Sequence, residues 1–462
     1  MLLNAVVIII ILLILIKQYF LDYDKGLRTA VFFLILAPLN LTLEINDTLP
    51  SLTIHRFIIL IMYIAWIRNA ETSKRVRGIP FGGLIILITI TTGISVLLSD
   101  NFLVSIKRYL YYVFESVVFF FIIVNSIKDD EILITLMKTV ALSLAVVALL
   151  SVIEKYTGYN PTILLGVKHS TEFERMNIYS DGGVVATYSH RILLGVAMVI
   201  GAIYSLFLID KSENRAERVL FWTSAFLTLS ALYFSTSRGP WLAFCVASIV
   251  LLFIQKSIRK RYLIIFVLIV LVFIIRPGTL ATINELYVET FQKEHIKGAS
   301  YEWRYIVLKM AYTKVIEARS TLNILFGFGQ GSHLFLNFPR IELATGHYAE
   351  FYSWDNEFAV TLLEHGFVGI TVFLCFYLLF IKRCLLHVFR RNKYSEYLII
   401  AMASVIVIMF MKTNVKIFAP QLLYLEFLNV AVVSAILSNH ILENDRFVLQ
   451  LWINPSTEEI TK

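Results

Sequence analysis

Cysteine is nearly absent from this chain, with three in 462 residues. Cys245 and Cys375 lie inside apolar runs and Cys384 sits in a basic loop. No pair has the spacing of a zinc site or a disulfide framework, which removes small secreted scaffolds and thiolate metal proteins. Charge is scarce too. Only 16% of residues are Asp, Glu, Lys or Arg, against about 25% in a soluble protein. Glycine (20) and proline (9) are too few for a collagen or a low-complexity linker. What is abundant is apolar: 58% hydrophobic residues, with 35 Phe and 23 Tyr. Mean hydropathy is +0.75. A soluble globular enzyme is excluded, and the expected fold class is all-α, a polytopic helical membrane protein. The runs are continuous rather than alternating, which excludes a β-barrel.

A helical span needs about 20 apolar residues. Thirteen runs approach that: 2–16, 28–43, 52–67, 79–98, 106–125, 132–153, 188–209, 219–236, 240–255, 262–276, 357–381, 397–413 and 420–438. The short runs 2–16 and 262–276 make the expected count 12–13. The net charge of +8 reports orientation rather than nucleic-acid binding, because Lys and Arg concentrate in cytoplasmic loops. Four basic loops begin at Arg68, Lys211, Lys256 and Lys382. They are separated by four, two and two spans, so all four fall on one side. The N-terminus then lies outside. Nothing basic precedes the first run, whereas Lys17, Lys25 and Arg28 follow it, which also argues against a signal peptide.

The expected organisation follows. Residues 1–276 form a transmembrane bundle with an outer loop at about 154–187. Residues 277–356 form a large outer loop, 357–438 the C-terminal spans, and 439–462 a cytoplasmic tail. An unstructured outer loop of about 80 residues is improbable in a compact protein. Apolar residues at helical spacing, among them Tyr305, Leu308, Met310, Ala311, Val315 and Ile316, predict amphipathic helices lying on the outer membrane face.

Several motifs on that face could carry chemistry. "LYFSTSRGPWLAF" is the turn between the eighth and ninth runs. Its hydroxyls, Ser237 among them, precede Arg238, and Pro240 opens a helix whose free N–H groups face the turn. That suits an anion such as phosphate, or equally a tight hairpin whose Arg reaches lipid phosphates. Arg304 lies in "YEWRYIVLKMAY". "GFGQGSHLF" reads either as a phosphate cradle or as a helix-opening turn. In "SWDNEFAVTLLEHGFVGIT", Asp355 and Asn356 open a helix, as caps or as a general base at the membrane surface. Glu364 and His365 should fall near mid-span, about 13 Å below Asp355. Buried charges there are functional candidates or structural glue, and Glu115 and Glu426 pose the same choice. Lys107, Arg108, Arg175, His190, Arg191, Lys412 and Lys416 add outer-face cations, against the positive-inside trend. They imply an anionic ligand or contact with lipid headgroups. No His-x-x-x-His and no Cys cluster supports a metal site.

At "STSRGPWL", "GFGQGSHLF" and "DNEFAVTLLEHGFVGIT", the sequence resembles the O-antigen ligase and O-antigen polymerase superfamily of bacterial surface-polysaccharide proteins. The resemblance is clearest over about 183–375. It implies a C-type membrane glycosyltransferase fold and an active site on the outer face of the plasma membrane. The donor it implies is an undecaprenyl-diphosphate-linked glycan, with no nucleotide sugar, metal or other cofactor. In the ligases the large loop ends with a pattern that looks like His-Asn, nine residues, then Gly-x-x-Gly. Asn356, Gly366 and Gly369 fit, while the His position holds Asp355. That departure looks closer to exopolysaccharide or capsule polymerases than to lipopolysaccharide ligases. By the same resemblance, Arg238 and Arg304 match family arginines and would clamp the diphosphate, with Asp355 as the third catalytic residue. Ser237, Asn356, Arg191, His190, Arg175 and Glu364 would bind substrate. Expected partners are the lipid-linked donor, a glycan or lipid-glycan acceptor, membrane lipids, and a flippase and chain-length regulator, with no nucleic acid.

Two alternatives stay open at this point. A polysaccharide flippase would explain many spans but would not need the large outer loop. A non-catalytic subunit of an export complex would tolerate replacement of Arg238 and Asp355.

Overall fold

A computed structural model describes residues 2–38, 40–43, 52–69, 78–165, 183–254, 296–338, 354–390, 393–417 and 419–453, with short pieces at 263, 341–342 and 348–349. Twelve of the thirteen expected runs fall almost wholly among these residues, and each contains a helix, although 28–43 leaves its helix at Leu36 and ends in a strand. The run 262–276 lies almost wholly outside them. In chain order the helices are α1 (Leu2–Leu21), α2 (Tyr23–Leu36), α3 (Ile54–Arg68), α4 (Gly82–Leu97) and α5 (Phe102–Tyr112). A π-helical turn (Val113–Val118) joins α5 to α6 (Phe119–Ser126). Then come α7 (Asp130–Thr157), α8 (Arg191–Leu208), α9 (Arg215–Phe234) and α10 (Arg238–Ile254). The outer segment supplies α11 (Ile296–Ile316) and α12 (Thr321–Phe326). The chain ends with α13 (Glu357–Phe389), α14 (Ser395–Lys412) and α15 (Pro420–Ile453). Two antiparallel ladders of two residues each, Thr42–Leu43 with Leu52–Thr53 and Ile341–Glu342 with Tyr348–Ala349, are the strands described.

The protein is therefore an all-α polytopic membrane protein. In a bilayer every backbone N–H and C=O must be satisfied internally, and apolar runs of this length do so as helices. Seven described helices are long and apolar enough to cross a membrane, and two shorter apolar helices, Gly82–Leu97 and Arg238–Leu252, accompany them. The expected 12–13 spans exceed that number for a physical reason. Helices α2 and α3 have 14 and 15 residues, short of a full span, and α9 opens on Arg215, Glu217 and Arg218.

Helix α8 is the hub. Every residue from Leu193 to Leu208 is buried, against α7, α9, α10 and α14. Glycines permit the close approach: a Cβ on Gly195 would lie 2.6 Å from Pro240 of α10. Tyr204 donates to the Asn429 amide oxygen at 2.7 Å, and Ser205 and Ser224 bond at 2.7 Å. Helix α1 is peripheral, with Ile9, Ile10 and Leu13 exposed as a lipid-facing helix requires.

The alternation of the helices collects two sets of connections at opposite ends. One end holds Lys211–Glu396 (2.6 Å), Lys393–Asp130 (3.4 Å) and Lys128–Asp24 (3.2 Å). Asp22 and Asp24 have Asp-x-Asp spacing, but Asp22 caps α2 by accepting from the Asp24 amide. The other end gathers residues 95–105, 154–165, 183–190, 235–238, 354–357, 412–417 and 419–420, the segments expected outside. The outer helix α11 packs there with Trp303, Val307, Ala311 and Val315 against Trp354, Ala359, Val360 and Leu363 of the α13 region. Its opposite face leaves Tyr305, Leu308, Tyr312 and Ile316 exposed, the arrangement of an interfacial helix.

Glu115 and Glu426, unresolved from sequence, are both paired. Glu115 sits on the π turn, 2.6 Å from the Arg56 Nε, and the Arg56 guanidinium lies over the Tyr111 ring at 3.4 Å. Glu426 of α15 meets Lys412 of α14 at 2.9 Å and the Tyr377 hydroxyl of α13, so three helices share one buried polar contact. Breaking a buried pair on one side leaves an uncompensated charge, at a cost of about 3–5 kcal/mol. Glu426→Leu should lower apparent stability in detergent by about that amount, and Lys412→Met/Glu426→Leu should recover most of it. Thermal unfolding of the three purified proteins checks this.

Candidate active site

The turn between α9 and α10 is built by its hydroxyls. Ser235 Oγ donates to the Leu232 carbonyl at 2.7 Å, and Ser237 Oγ donates to the Ser235 carbonyl at 3.2 Å. Ser237 thus shapes the turn from which Arg238 projects at the start of α10. Thr236 holds φ +53°, a left-handed value that costs about 1–3 kcal/mol outside glycine. The segment 183–190 lies across this turn, where the Val184 amide donates to the Phe234 carbonyl at 3.2 Å. Ala186 and Ser189, at φ +45° and +57°, are strained as well. Ala186 is held from several sides. Its N–H donates to Glu154 Oε2 at 2.7 Å, while Asn160 Nδ2 and Thr162 Oγ1 each donate to its carbonyl at 3.0 Å.

This segment delivers His190 and Arg191. Arg191 Nη1 reaches Thr236 Oγ1 at 3.5 Å. His190 caps α8, its Nδ1 accepting from the Ile192 amide at 3.3 Å. Burial holds that imidazole down at about 4, with Asp355 opposing and Arg191 reinforcing. His190 is therefore neutral near pH 7 and is not one of the outer cations expected from sequence. Arg304 comes from α11, half-buried, and its Nε donates to the Asn414 carbonyl in the α14–α15 connection at 2.9 Å. Burial lowers its pKa below the usual arginine value, Asp355 raises it and Arg238 lowers it further. Asp355 thus acts on both Arg304 and His190, Arg238 on Arg304 and Arg191 on His190, which brings four segments distant in the chain to one place.

Asn356 is the cap of α13, its amide oxygen accepting from the Phe358 and Ala359 amides at 3.0 and 3.1 Å. Asp355, the alternative cap, is left on the cluster side. The helix does not run straight through Glu364 and His365. Gly366 has φ +63° and ψ −164°, which breaks α13 there. The carbonyls freed by the break are taken by the glycine-rich turn: the Phe328 amide donates to Leu363 O at 3.0 Å and the Gly329 amide to Glu364 O at 3.1 Å. Ser95 Oγ donates to the same Glu364 carbonyl and accepts from the Gly329 amide. "GFGQG" is accordingly neither a phosphate cradle nor a simple helix opener. Gly327 and Gly329 have φ of +77° and +94°, and a Cβ on Gly327 would strike the Glu364–His365 backbone.

Beside this joint, α4, α5, α13 and the α14–α15 connection enclose a cavity of about 280 Å³. Its polar wall includes Arg108, Lys412, Lys416, Glu357 and Glu364, and its apolar floor includes Ile88, Phe373 and Phe376. His333 Nδ1 lies 2.5 Å from Glu364 Oε1, and its Nε2 contacts the Lys416 Nζ. An ammonium can only donate, so Nε2 accepts and Nδ1–H donates to Glu364. Burial lowers the pKa of both His333 and Lys416 below their usual values. Glu357 accepts from the Ile417 amide at 3.0 Å.

The sequence-derived candidates therefore divide in two. Arg238, Arg304, Asp355, Arg191 and His190 gather at the turn cluster, while Glu364 lines the chamber. Arg175 lies outside the described residues. Arg108, Lys412 and Lys416, expected only as outer-face cations, line the chamber, and Glu154, His333, Glu357 and Gln330 were not among the candidates the sequence offered. Only position marks these, since each is an ordinary polar residue near the end of an apolar run.

The fold and site define a polytopic membrane protein with a cation-rich cluster and a charged chamber at one end of its bundle. Residues 223–374 match the family described as O-Antigen ligase. The matched segment takes in the serine-rich turn, Arg304, the glycine-rich turn and the Asp355–Gly369 stretch, bearing out the resemblance to that superfamily. The match supports glycan transfer of the O-antigen ligase and polymerase kind by a membrane enzyme. No curated protein matches the chain.

The joint predicts a contrast between glycines. Gly327→Ala adds backbone strain and overpacking, and should cost more than about 3 kcal/mol. Gly158→Ala, at φ +67° with open space around it, should cost about 1 kcal/mol. Melting temperatures of the two variants in one detergent test the difference.

Proposed function

We propose that the protein polymerises undecaprenyl-diphosphate-linked glycan at the outer face of the plasma membrane during surface-polysaccharide synthesis. The reaction is an inverting, metal-independent glycosyl transfer. The observation that carries this reading is the meeting of Arg238, Arg304 and Asp355 from three separate segments, with Asp355 and Arg238 both acting on Arg304.

An acceptor hydroxyl attacks the anomeric carbon of the lipid-linked glycan. The bond from that carbon to the diphosphate oxygen breaks, and the electron pair leaves with undecaprenyl diphosphate. Negative charge grows on the departing diphosphate, so fixed cations lower the barrier. Arg238 and Arg304 suit a diphosphate because guanidinium forks bind phosphate bidentately. Arg191 adds a third positive charge. Asp355 receives the hydroxyl proton, and because a carboxylate is a weak base toward an alcohol, that transfer comes late. Asp355 at the position where ligases resemble His favours polymerase over ligase.

Arg238→Lys keeps the charge and loses the fork, and transfer should fall about a hundredfold or more with expression unchanged. The decisive experiment is mass spectrometry of lipid-linked glycans from cells lacking the protein, complemented with wild type or Arg238→Ala. Single repeat units accumulating on the outer leaflet in both the null and the Arg238→Ala strain support polymerisation. Long lipid-linked chains mean ligation instead. Units stranded on the inner leaflet point to a flippase and end the glycosyltransferase reading.

A further inference from the structure

The chamber beneath the arginine cluster has no role in donor binding as described above, and its chemistry differs from that of the cluster. The cluster sets Arg191, Arg238 and Arg304 against Asp355, a surplus of positive charge that fits a diphosphate. The chamber is balanced. Four carboxylates, Glu115, Glu357, Glu364 and Glu426, face Arg108, Lys412 and Lys416, with Arg56 paired behind Glu115. Most of these charges already bond to one another: Lys412 to Glu426, Glu364 to His333, and His333 to Lys416. A balanced, internally bonded wall offers a diphosphate little, because the attraction of its cations is cancelled by adjacent carboxylates. It offers a polyhydroxylated ligand much, since carboxylates accept from hydroxyls, and ammonium and guanidinium groups donate to them.

Two wall atoms add to this. Among the described residues, the Gln330 side-chain oxygen and the His365 Nδ1 are buried without a hydrogen-bond partner, and both residues line the cavity. Leaving such atoms unpaired costs about 1–3 kcal/mol each, which a ligand hydroxyl recovers. Phe373 and Phe376 supply apolar ring surface for a sugar face. About 280 Å³ lies just below the usual range for small-ligand sites, suited to a terminal sugar rather than a long chain.

The chamber also adjoins the cluster through two short pieces of backbone. Asp355 acts on Arg304 and His190, whereas Glu357, two residues on, lines the chamber. Asn414 bonds to Arg304, whereas Lys416, two residues on, lines the chamber.

We infer that the chamber is the acceptor site, holding an uncharged, hydroxyl-rich sugar at the end of a glycan so that one hydroxyl faces Asp355. The inference rests on the glycosyl-transfer reading and deepens it by giving donor and acceptor separate sites. The probe is the repeat-unit oligosaccharide released by mild acid from the source cell's own lipid-linked glycans. Its binding to full-length protein in nanodiscs is followed by saturation-transfer NMR. Wild type should bind. Gln330→Ala, which removes one bond partner, should weaken binding about tenfold, and Ile88→Phe, which narrows the cavity, should weaken it at least as much. Monodisperse elution of both variants checks that they fold. Arg238→Ala, deficient in transfer, should bind the oligosaccharide as wild type does. Absence of binding by wild type, unchanged binding by both chamber variants, or loss of binding in Arg238→Ala would each overturn the inference. None of these results touches the glycosyl-transfer reading, which fails separately if the glycan mass spectra show inner-leaflet units.

Discussion

The break in α13 at Gly366 is the constraint from which the site follows. A helix interrupted inside a bundle exposes carbonyls that neither lipid nor apolar side chains can satisfy. Here the Leu363 and Glu364 carbonyls are taken by Phe328, Gly329 and Ser95. That repair pulls the 327–331 turn of the outer segment down into the bundle against α4 and α5. Ser332–Leu334 follow immediately, which brings His333 to Glu364 and the α14–α15 connection. One irregular residue thus docks the outer segment, closes the chamber and sets the height at which α11 carries Arg304.

The same logic explains why so much charge is tolerated at this depth. Ionisable groups in a membrane bundle are costly unless paired. Each carboxylate of the chamber wall has a cation, an imidazole or a backbone amide as partner, on a different segment from its own. These pairs tie α3 to the π turn, α14 to α15, and the outer segment to α13. The π turn that carries Glu115 is itself an irregularity of the kind found at functional sites. The strained residues Ala186, Ser189 and Thr236 gather at the arginine cluster instead. There Glu154, Asn160 and Thr162 restrain the backbone, so preorganisation is supplied by hydrogen bonds and not by packing alone.

Much of the architecture was legible in the sequence because hydropathy reports directly on burial in lipid. The runs, their alternation and the gathering of the outer segments at one end all follow from it. The serine-rich turn ending in Arg-Gly-Pro and the capped helix opening with Asp-Asn were legible as local patterns, whereas Arg304 joined them only through the family resemblance. Tertiary relations were not legible. The buried face of α11 proved to be Trp303, Val307, Ala311 and Val315, with Tyr305, Leu308 and Ile316 outward, because the choice of face depends on where α13 lies. "GFGQG" read as an isolated glycine run, although its glycines are required by a break some 35 residues later in the chain. Glu364 and His365 were expected on a continuous helix, and nothing local to Gly366 distinguishes a helix break from an ordinary packing glycine.

The Asp355-Asn356-Glu357 step joins these pieces. An N-cap residue leaves the extended chain before it and the helix after it pointing in different directions. Asn356 spends its side chain on the cap, so the carboxylates on either side of it serve different neighbours. Asp355 acts on Arg304 and His190, and Glu357 faces the Ile417 amide within reach of Lys416 and Lys412. A two-residue step at a helix start thereby links the cation-rich cluster to the charge-balanced chamber. Moving the cap by one residue would turn both carboxylates away from their partners. The spacing of the motif, a cap and a helix break with nine residues between them, therefore fixes two distances together: the height of Asp355 above the chamber and the depth at which the outer segment is anchored.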